Sequence, residues 1–262
     1  MTLHGVSCRT GGMREEGRTA VRRGGFPTTR LSAVRAAGSR DELERDRGFG
    51  AVVDAYWKPI YKYVRFRWNE DDDGAKDATQ GFFARAFEKG WLARYDSGRG
   101  TFRTFLRTCL DGYMSNERKA AHSQKRHPGE PLLSLDFATA EGELREHPLP
   151  DGRSVEDFFR EEFARGVFAW AVETLRTDCA GRGCDLAFQV FERYDLDPDP
   201  DAPPTYASLA RDLGTTESRV TNALHLGRRE FRRLVLERLR ELTGSDREYR
   251  EEARRLLGKN LP

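Results

Sequence analysis

DATQGFFARAFEKGWLARYDSGRGTFRTFLRTCLDGYMSNERKAAHSQKR, residues 77–126, is the stretch whose reading decides the fold. Two amphipathic helical patterns flank a glycine-rich turn, YDSGRG at 95–100. In the first pattern Phe82, Phe83, Ala86, Phe87 and Trp91 recur at helical spacing and make one apolar stripe. Asp77, Gln80, Ala84 and Glu88 share another face, three or four residues apart. In the second pattern Phe102, Phe105, Leu106, Cys109, Leu110 and Tyr113 form the core stripe, while Arg103, Arg107, Asp111, Met114 and Arg118 point elsewhere. Lys119, Lys125 and Arg126 add positive charge beyond it. One helix offers acid and amide, and the next offers base with aromatics nearby. That division suits a protein that grips another protein on one side and a phosphate backbone on the other.

Upstream, residues 40–67 place Leu43, Phe49, Val52, Val53, Tyr56, Trp57, Ile60, Tyr61 and Val64 at helical spacing. Pro59 inside this pattern removes a backbone donor and is expected to bend or split the helix. Lys58, Lys62, Arg65 and Arg67 read as an exposed basic set. The acidic run NEDDDG at 69–74 reads as a solvated loop capping the next helix, since carboxylates favour helix N-termini. Consecutive aspartates cannot all face one ion, so no metal site is read there. Residues 1–25 are rich in Gly, Arg and Thr without apolar periodicity and are predicted to be disordered. A basic arm on DNA is an alternative for them, as is an over-extended reading frame with Met13 as a second start.

Downstream, residues 128–153 hold four prolines and many acids and read as a linker without regular structure. Ser154 and Asp157 resemble a capping box ahead of an apolar stripe of Phe159, Phe163, Val167, Trp170, Ala171 and Leu175. Leu186, Phe188, Val190 and Phe191 continue as a short helix. From Thr205 the pattern is a helix-turn-helix: Tyr206, Leu209, Ala210 and Leu213 face inward, Gly214 serves the turn, and Thr215 or Thr216 caps a second helix. Val220, Ala223 and Leu224 bury that helix's inner face. Its outer face presents Ser218, Arg219, Thr221, Asn222 and His225, followed by Arg228, Arg229, Arg232 and Arg233. These side chains are of the types that hydrogen-bond base edges and phosphates in a major groove.

DATQGFF, YDSGRGTFRTFL and the closing Lys125–Arg126 pair, in that order, resemble the second domain of bacterial sigma factors of the sigma-70 family, extracytoplasmic-function group. FPTTRLSAV (26–34) and AYWKPIYKYVRFR (55–67) are similar to the start of one subgroup. ALHLGRREFRRLV (223–235) resembles a helix of the family's fourth domain, where an arginine more often stands at the position of Gly227. The resemblance implies an all-α chain of two small helical domains. Sigma domain 2, a three- or four-helix bundle, would span 26–127, and sigma domain 4 with its helix-turn-helix would span 154–243. A flexible linker would occupy 128–153, after a disordered 1–25 and before a C-terminal helix or tail at 244–262.

The implied partners are core RNA polymerase and promoter DNA, with room for an anti-sigma factor or another regulator. Asp77, Gln80 and Glu88 would dock on the polymerase. Arg103, Arg107, Asn116, Arg118, Lys119, Lys125 and Arg126 would hold the melted minus-ten element. Ser218, Arg219, Thr221, Asn222, His225, Arg228 and Arg229 would sit on the minus-thirty-five duplex. On this reading the two halves keep separate cores, and the face of Arg103 and Arg107 stays open. The acidic linker would either follow a path otherwise taken by nucleic acid or act as a plain tether.

Composition sets bounds on these expectations. The chain has 262 residues, 34% charged and 37% hydrophobic, which favours small helical units over one large core. A net charge of +2 leaves the case for nucleic acid to the distribution of charge. Cys8, Cys109, Cys179 and Cys184 show no paired zinc spacing, although Cys179 and Cys184 flank a glycine-rich turn and could pair or bind metal. No run of ~20 apolar residues is present and no signal segment is visible, so the expected compartment is the cytoplasm. No triad, phosphate loop or HExxH motif appears, so binding without a catalytic site, cofactor or metal is expected. The main rival is a stand-alone helix-turn-helix regulator, which leaves residues 77–126 without a role. A magnesium nuclease built on Asp71, Asp72, Asp73 and Asp77 is a further alternative.

Overall fold

Asp41 accepts a hydrogen bond from the Glu44 amide at 2.9 Å and so starts α2 (Glu42–Arg67), the helix around which the others assemble. A short α1 (Ala33–Ala36) precedes it. The computed structural model describes residues 32–121, 135–146, 154–198 and 203–258, all helix, turn and loop, with no strand among them. After α2 come α3 (Asp72–Glu88), a 3-10 turn (Trp91–Arg94) and α4 (Phe102–Ala121). Next are α5 (Phe137–Glu146), α6 (Val155–Arg182), α7 (Asp185–Phe191) and a π-turn (Glu192–Leu196). The helix-turn-helix pair α8 (Tyr206–Asp212) and α9 (Glu217–Leu242) follows, and α10 (Asp246–Leu257) ends the described chain. The all-α class expected from periodicity holds over these residues.

Several helix starts follow the sequence signals. Asp71 Oδ1 accepts from the Gly74 amide at 2.7 Å, so the acidic loop does cap α3, one turn earlier than the Asp77 start read from the pattern. Ser154 accepts from Asp157 N at 3.1 Å and opens α6. Pro59 does not split α2. Proline leaves the carbonyl four residues back without its helical donor. That carbonyl, Ala55 O, faces α6 at Gly166, where even a methyl group would come within 3.9 Å.

Separate cores for the two halves were expected, and the structure corrects this. The described residues fall into one compact unit, and a single continuous cluster of buried side chains runs from Val34 to Ala253. The reason lies in α2. Residues Pro59, Ile60, Tyr61, Lys62, Tyr63 and Val64 are all buried, so the helix is covered on every side rather than along one stripe. Tyr56 stacks on Phe159 and Phe163 of α6 at 6.4 and 5.3 Å and meets Phe102 of α4 edge-on at 5.6 Å. Tyr63 meets Phe159 at 5.7 Å. Each such aromatic pair adds about 0.5–1.5 kcal/mol beyond the burial of its area.

The linker reading is corrected too. Within 128–153, the residues Phe137–Glu146 form α5, started by Asp136 accepting from the Thr139 amide at 3.2 Å. Phe137 and Ala140 are buried against α2, and Phe137 contacts Trp57 and Tyr61 at 5.4 and 5.2 Å. Phe87, placed on the apolar stripe of α3, is 40% exposed and rests on Phe49 at 5.0 Å. Met114, expected to point away from the core, is buried. Cys179 and Cys184 sit at the α6–α7 corner as free thiols, and burial first, then the neighbouring Cys184, pushes the Cys179 thiol up to about 12. Among the described residues no helix is long and apolar enough to cross a membrane, and no group of three or more His, Cys, Asp or Glu is placed to hold a metal ion.

Gly227 explains how α9 meets α7. A Cβ there would lie 2.8 Å from Phe191 Cβ and 2.9 Å from the Ala187 carbonyl oxygen. The arginine typical of the resembling family has no room at this crossing. Replacing helical Gly by Ala ordinarily gains about 1 kcal/mol, but overpacking against fixed backbone costs about 1–3 kcal/mol. Gly227→Ala is therefore expected to lower the thermal midpoint, and Gly227→Arg to lower it further. A raised midpoint in Gly227→Arg would show that α7 and α9 do not cross this closely.

Candidate nucleic-acid interface

Thr205 and Ser208 cap each other at the start of α8: Thr205 Oγ1 accepts from Ser208 N at 3.0 Å, and Ser208 Oγ accepts from Thr205 N at 2.9 Å. Gly214 takes a φ of 58°, a left-handed turn that fits glycine. Thr216 Oγ1 then accepts from Arg219 N at 3.3 Å and starts α9. Leu209, Ala210, Val220, Ala223 and Leu224 are buried, which fixes the rotation of α9. Ser218, Arg219, Asn222 and His225 are left exposed as a row on its first turns. Among the described residues their side chains have no hydrogen-bond or ion-pair partner.

Other residues assigned to the duplex are engaged. The Thr221 hydroxyl donates to Glu217 O at 3.0 Å within the helix. Arg228 makes two hydrogen bonds of 2.7 Å to Asp195 and lies over the Tyr194 ring at 5.5 Å. The Asp195 hydrogen bonds hold its guanidinium above the usual arginine range. Arg229 is exposed and reaches Glu230 at 3.2 Å.

On α3, Asp77 is exposed and Gln80 half-buried. Glu88 is exposed and pairs with Lys89 at 3.2 Å and Arg85 at 3.3 Å, and these two hydrogen bonds hold its carboxyl below the usual range. These three residues do share one side of a single helix.

The basic face of α4 is where expectation and structure part. Arg103 is 4% exposed; its guanidinium donates to Glu252 of α10 at 2.7 Å and lies over the Phe163 ring at 5.2 Å. Arg107 is half-buried and pairs with Glu156 of α6 at 2.9 Å. Neither is an open DNA contact, because α6 and α10 close over the start of α4. Glu248 of α10 also accepts from the Phe102 amide at 2.8 Å, the Gly244 amide at 2.9 Å and Tyr95 Oη at 3.2 Å. Burial raises the Glu248 carboxyl, and these donors only partly offset that. At the other end of α4, Asn116 and Lys119 are exposed. Arg118 is exposed, stacks on Trp68 at 4.8 Å, donates to the Trp68 carbonyl and reaches Glu70 at 3.1 Å. Lys125 and Arg126 lie outside the described residues.

α2 also differs from its reading. Lys62, placed in an exposed basic set, is 1% exposed and donates to Glu143 of α5 and Glu162 of α6, both at 2.6 Å. Lys58 donates to Glu143 at 2.8 Å, and Arg65 makes bonds of 3.1 and 2.9 Å to Glu141. The Arg65 hydrogen bond keeps the Glu141 carboxyl below its usual range. Burial works to raise Glu143, but the bonds from Lys58 and Lys62 outweigh it, and this carboxyl also sits low. The sequence reading missed Glu141, Glu143, Glu248 and Glu252 as partners. A signal was present for α5: Phe137, Ala140 and Leu144 repeat at helical spacing behind a capping Asp136.

Comparison with protein-family models, with curated proteins and with solved structures finds no match for this chain.

Truncating one partner of a buried ion pair costs about 3–5 kcal/mol. Glu252→Ala is expected to lower the unfolding free energy by that amount, read from the urea midpoint. A loss under about 0.5 kcal/mol, typical of plain surface changes, would return Arg103 to the solvent.

Proposed function

We propose that the chain is a sigma-type initiation factor, a binding protein that brings core RNA polymerase to promoters. One observation carries the reading: the helix-turn-helix leaves Ser218, Arg219, Asn222 and His225 exposed on the first turns of α9, with no side-chain partner among the described residues. Those turns are the part of a recognition helix that reaches base edges in a major groove. The Asp77–Gln80–Glu88 side of α3, exposed at Asp77 and Glu88 and on the motif that resembles the polymerase-docking segment, gives the same chain a second, acidic contact surface. Asn116, Arg118 and Lys119 are the described residues left to meet the opened strand; Arg103 is withdrawn from that role. The finer arrangement, one helical module per promoter element, belongs to this proposal. It requires the halves to part on the polymerase, and the continuous core counts against separate modules in the unbound chain.

That same core favours the second reading, a stand-alone helix-turn-helix regulator, which binds duplex without any opening. Transcription separates the two. Core polymerase is incubated with a random promoter library, with and without the chain, and the transcripts are sequenced. The sigma reading expects an enriched upstream motif only with the chain present. Duplex binding with no new transcripts supports the regulator.

Two substitutions sharpen the result. Arg219→Ala is expected to cost about 1–3 kcal/mol of duplex affinity and to relax preference at one base pair. Asp77→Ala with Gln80→Ala is expected to reduce polymerase binding and leave duplex binding unchanged. Equal loss of both would remove α3 from the polymerase contact.

A further inference from the structure

The contact between α5 and α2 has the chemistry of a nucleic-acid contact made by protein. On α2, Lys58, Lys62 and Arg65 form one stripe at spacings of four and three residues. At about 1.5 Å per residue these cations are stacked about 6 and 4.5 Å apart along the axis. Trp57 and Tyr61 interleave with them. A basic stripe interleaved with aromatics is the surface that tracks a single strand, with charges on phosphates and rings on bases.

The occupant, α5, supplies a substitute for each part. Glu143 bridges Lys58 and Lys62 at 2.8 and 2.6 Å. Glu141 takes Arg65 through two hydrogen bonds. Phe137 lies edge-on to Trp57 at 5.4 Å and tilted on Tyr61 at 5.2 Å, where a base would lie. Few apolar groups hold this ten-residue helix in place: Phe137 and Ala140 are its buried apolar residues. Leu144 is partly buried beside them, and Tyr61 Oη donates to Glu141 at 2.7 Å. The remaining grip is ionic, and an ionic grip can be exchanged for another polyanion. After such an exchange Lys62 keeps Glu162 of α6 and Arg65 Nη1 keeps the Glu70 carbonyl at 2.6 Å, so Lys58 and the rest of the Arg65 guanidinium are set free from carboxylates.

We propose that this face of α2 is a binding site for single-stranded nucleic acid, and that α5 is a built-in mimic which occupies it until a strand displaces it. The site uses residues distinct from the α9 row and from Asp77, Gln80 and Glu88, and it does not depend on the polymerase reading.

The test uses the full chain without polymerase and a fluorescein-labelled 12-nucleotide single-stranded DNA, followed by anisotropy at increasing salt. Phe137→Ala with Glu143→Gln is designed to release α5, and hydrogen exchange across 137–146 reports the release. The expected result is at least a tenfold tighter Kd than the unmodified chain, a steeper salt dependence, and reversal when Lys58→Ala and Arg65→Ala are added. Release of α5 with an unchanged Kd would overturn the proposal, as would a gain that survives loss of Lys58 and Arg65. Competition by polyglutamate as effective as by unlabelled DNA would also overturn it, in favour of an acidic protein partner. If the double variant does not fold, Glu143→Gln alone leaves Lys62 paired to Glu162 and is expected to give a two- to threefold gain; no gain there counts against the proposal. Transcription with polymerase is a separate readout, so failure here leaves the initiation-factor reading standing, and the reverse.

Discussion

Tyr56 is held between Phe102 of α4 on one side and Phe159 and Phe163 of α6 on the other. The described fold depends on that arrangement, because it makes α2 a shared wall. A helix with one apolar stripe would have let the first four helices close by themselves. Burying six consecutive residues, 59–64, demands cover on the second side as well, and α5 and α6 provide it. Fully burying one large apolar side chain contributes about 1.5–3 kcal/mol. The desolvation of an ion such as Lys62 costs several kcal/mol that its partners repay only in good geometry. The aromatics therefore drive the joining of the halves. The Lys62–Glu143–Glu162 group ties α2 to both α5 and α6.

Much of this was legible in the sequence. The helical periods, the caps at Asp71, Ser154 and Thr216, and the turn at Gly214 follow from local chemistry, which acts over three or four residues. The row from Ser218 to His225 was legible for the same reason: Val220, Ala223 and Leu224 dictate which way α9 turns. What could not be read was pairing across long separations. Arg103 looks like any exposed arginine until Glu252, far along the chain, arrives beside it. Lys62 sits on a basic stripe whose solvation depends on α5 and α6, and no period in α2 announces them. The acidity of residues 128–153 was read as linker composition, when part of it is addressed to specific cations.

The charges share a pattern. Cations that suit a phosphate backbone are met inside the protein by carboxylates: Arg103 by Glu252, Arg107 by Glu156, Lys58 and Arg65 by the acids of α5. Among the described residues assigned to DNA, the outer row of α9 and Asn116 and Lys119 of α4 stay open. The arrangement is a closed one. Duplex contact through α9 needs no rearrangement, whereas any contact through the start of α4 or through α2 needs α10 or α5 to move.

The claim beneath this account is that α2 welds both halves into one cooperative unit. Urea unfolding of the full chain, followed in parallel by far-ultraviolet circular dichroism, tryptophan emission and hydrogen exchange of α6 and α9, tests it most directly. The account predicts one transition with coincident midpoints for every probe. Two separated transitions, with α6 and α9 opening while α2, α3 and α4 stay protected, would contradict it.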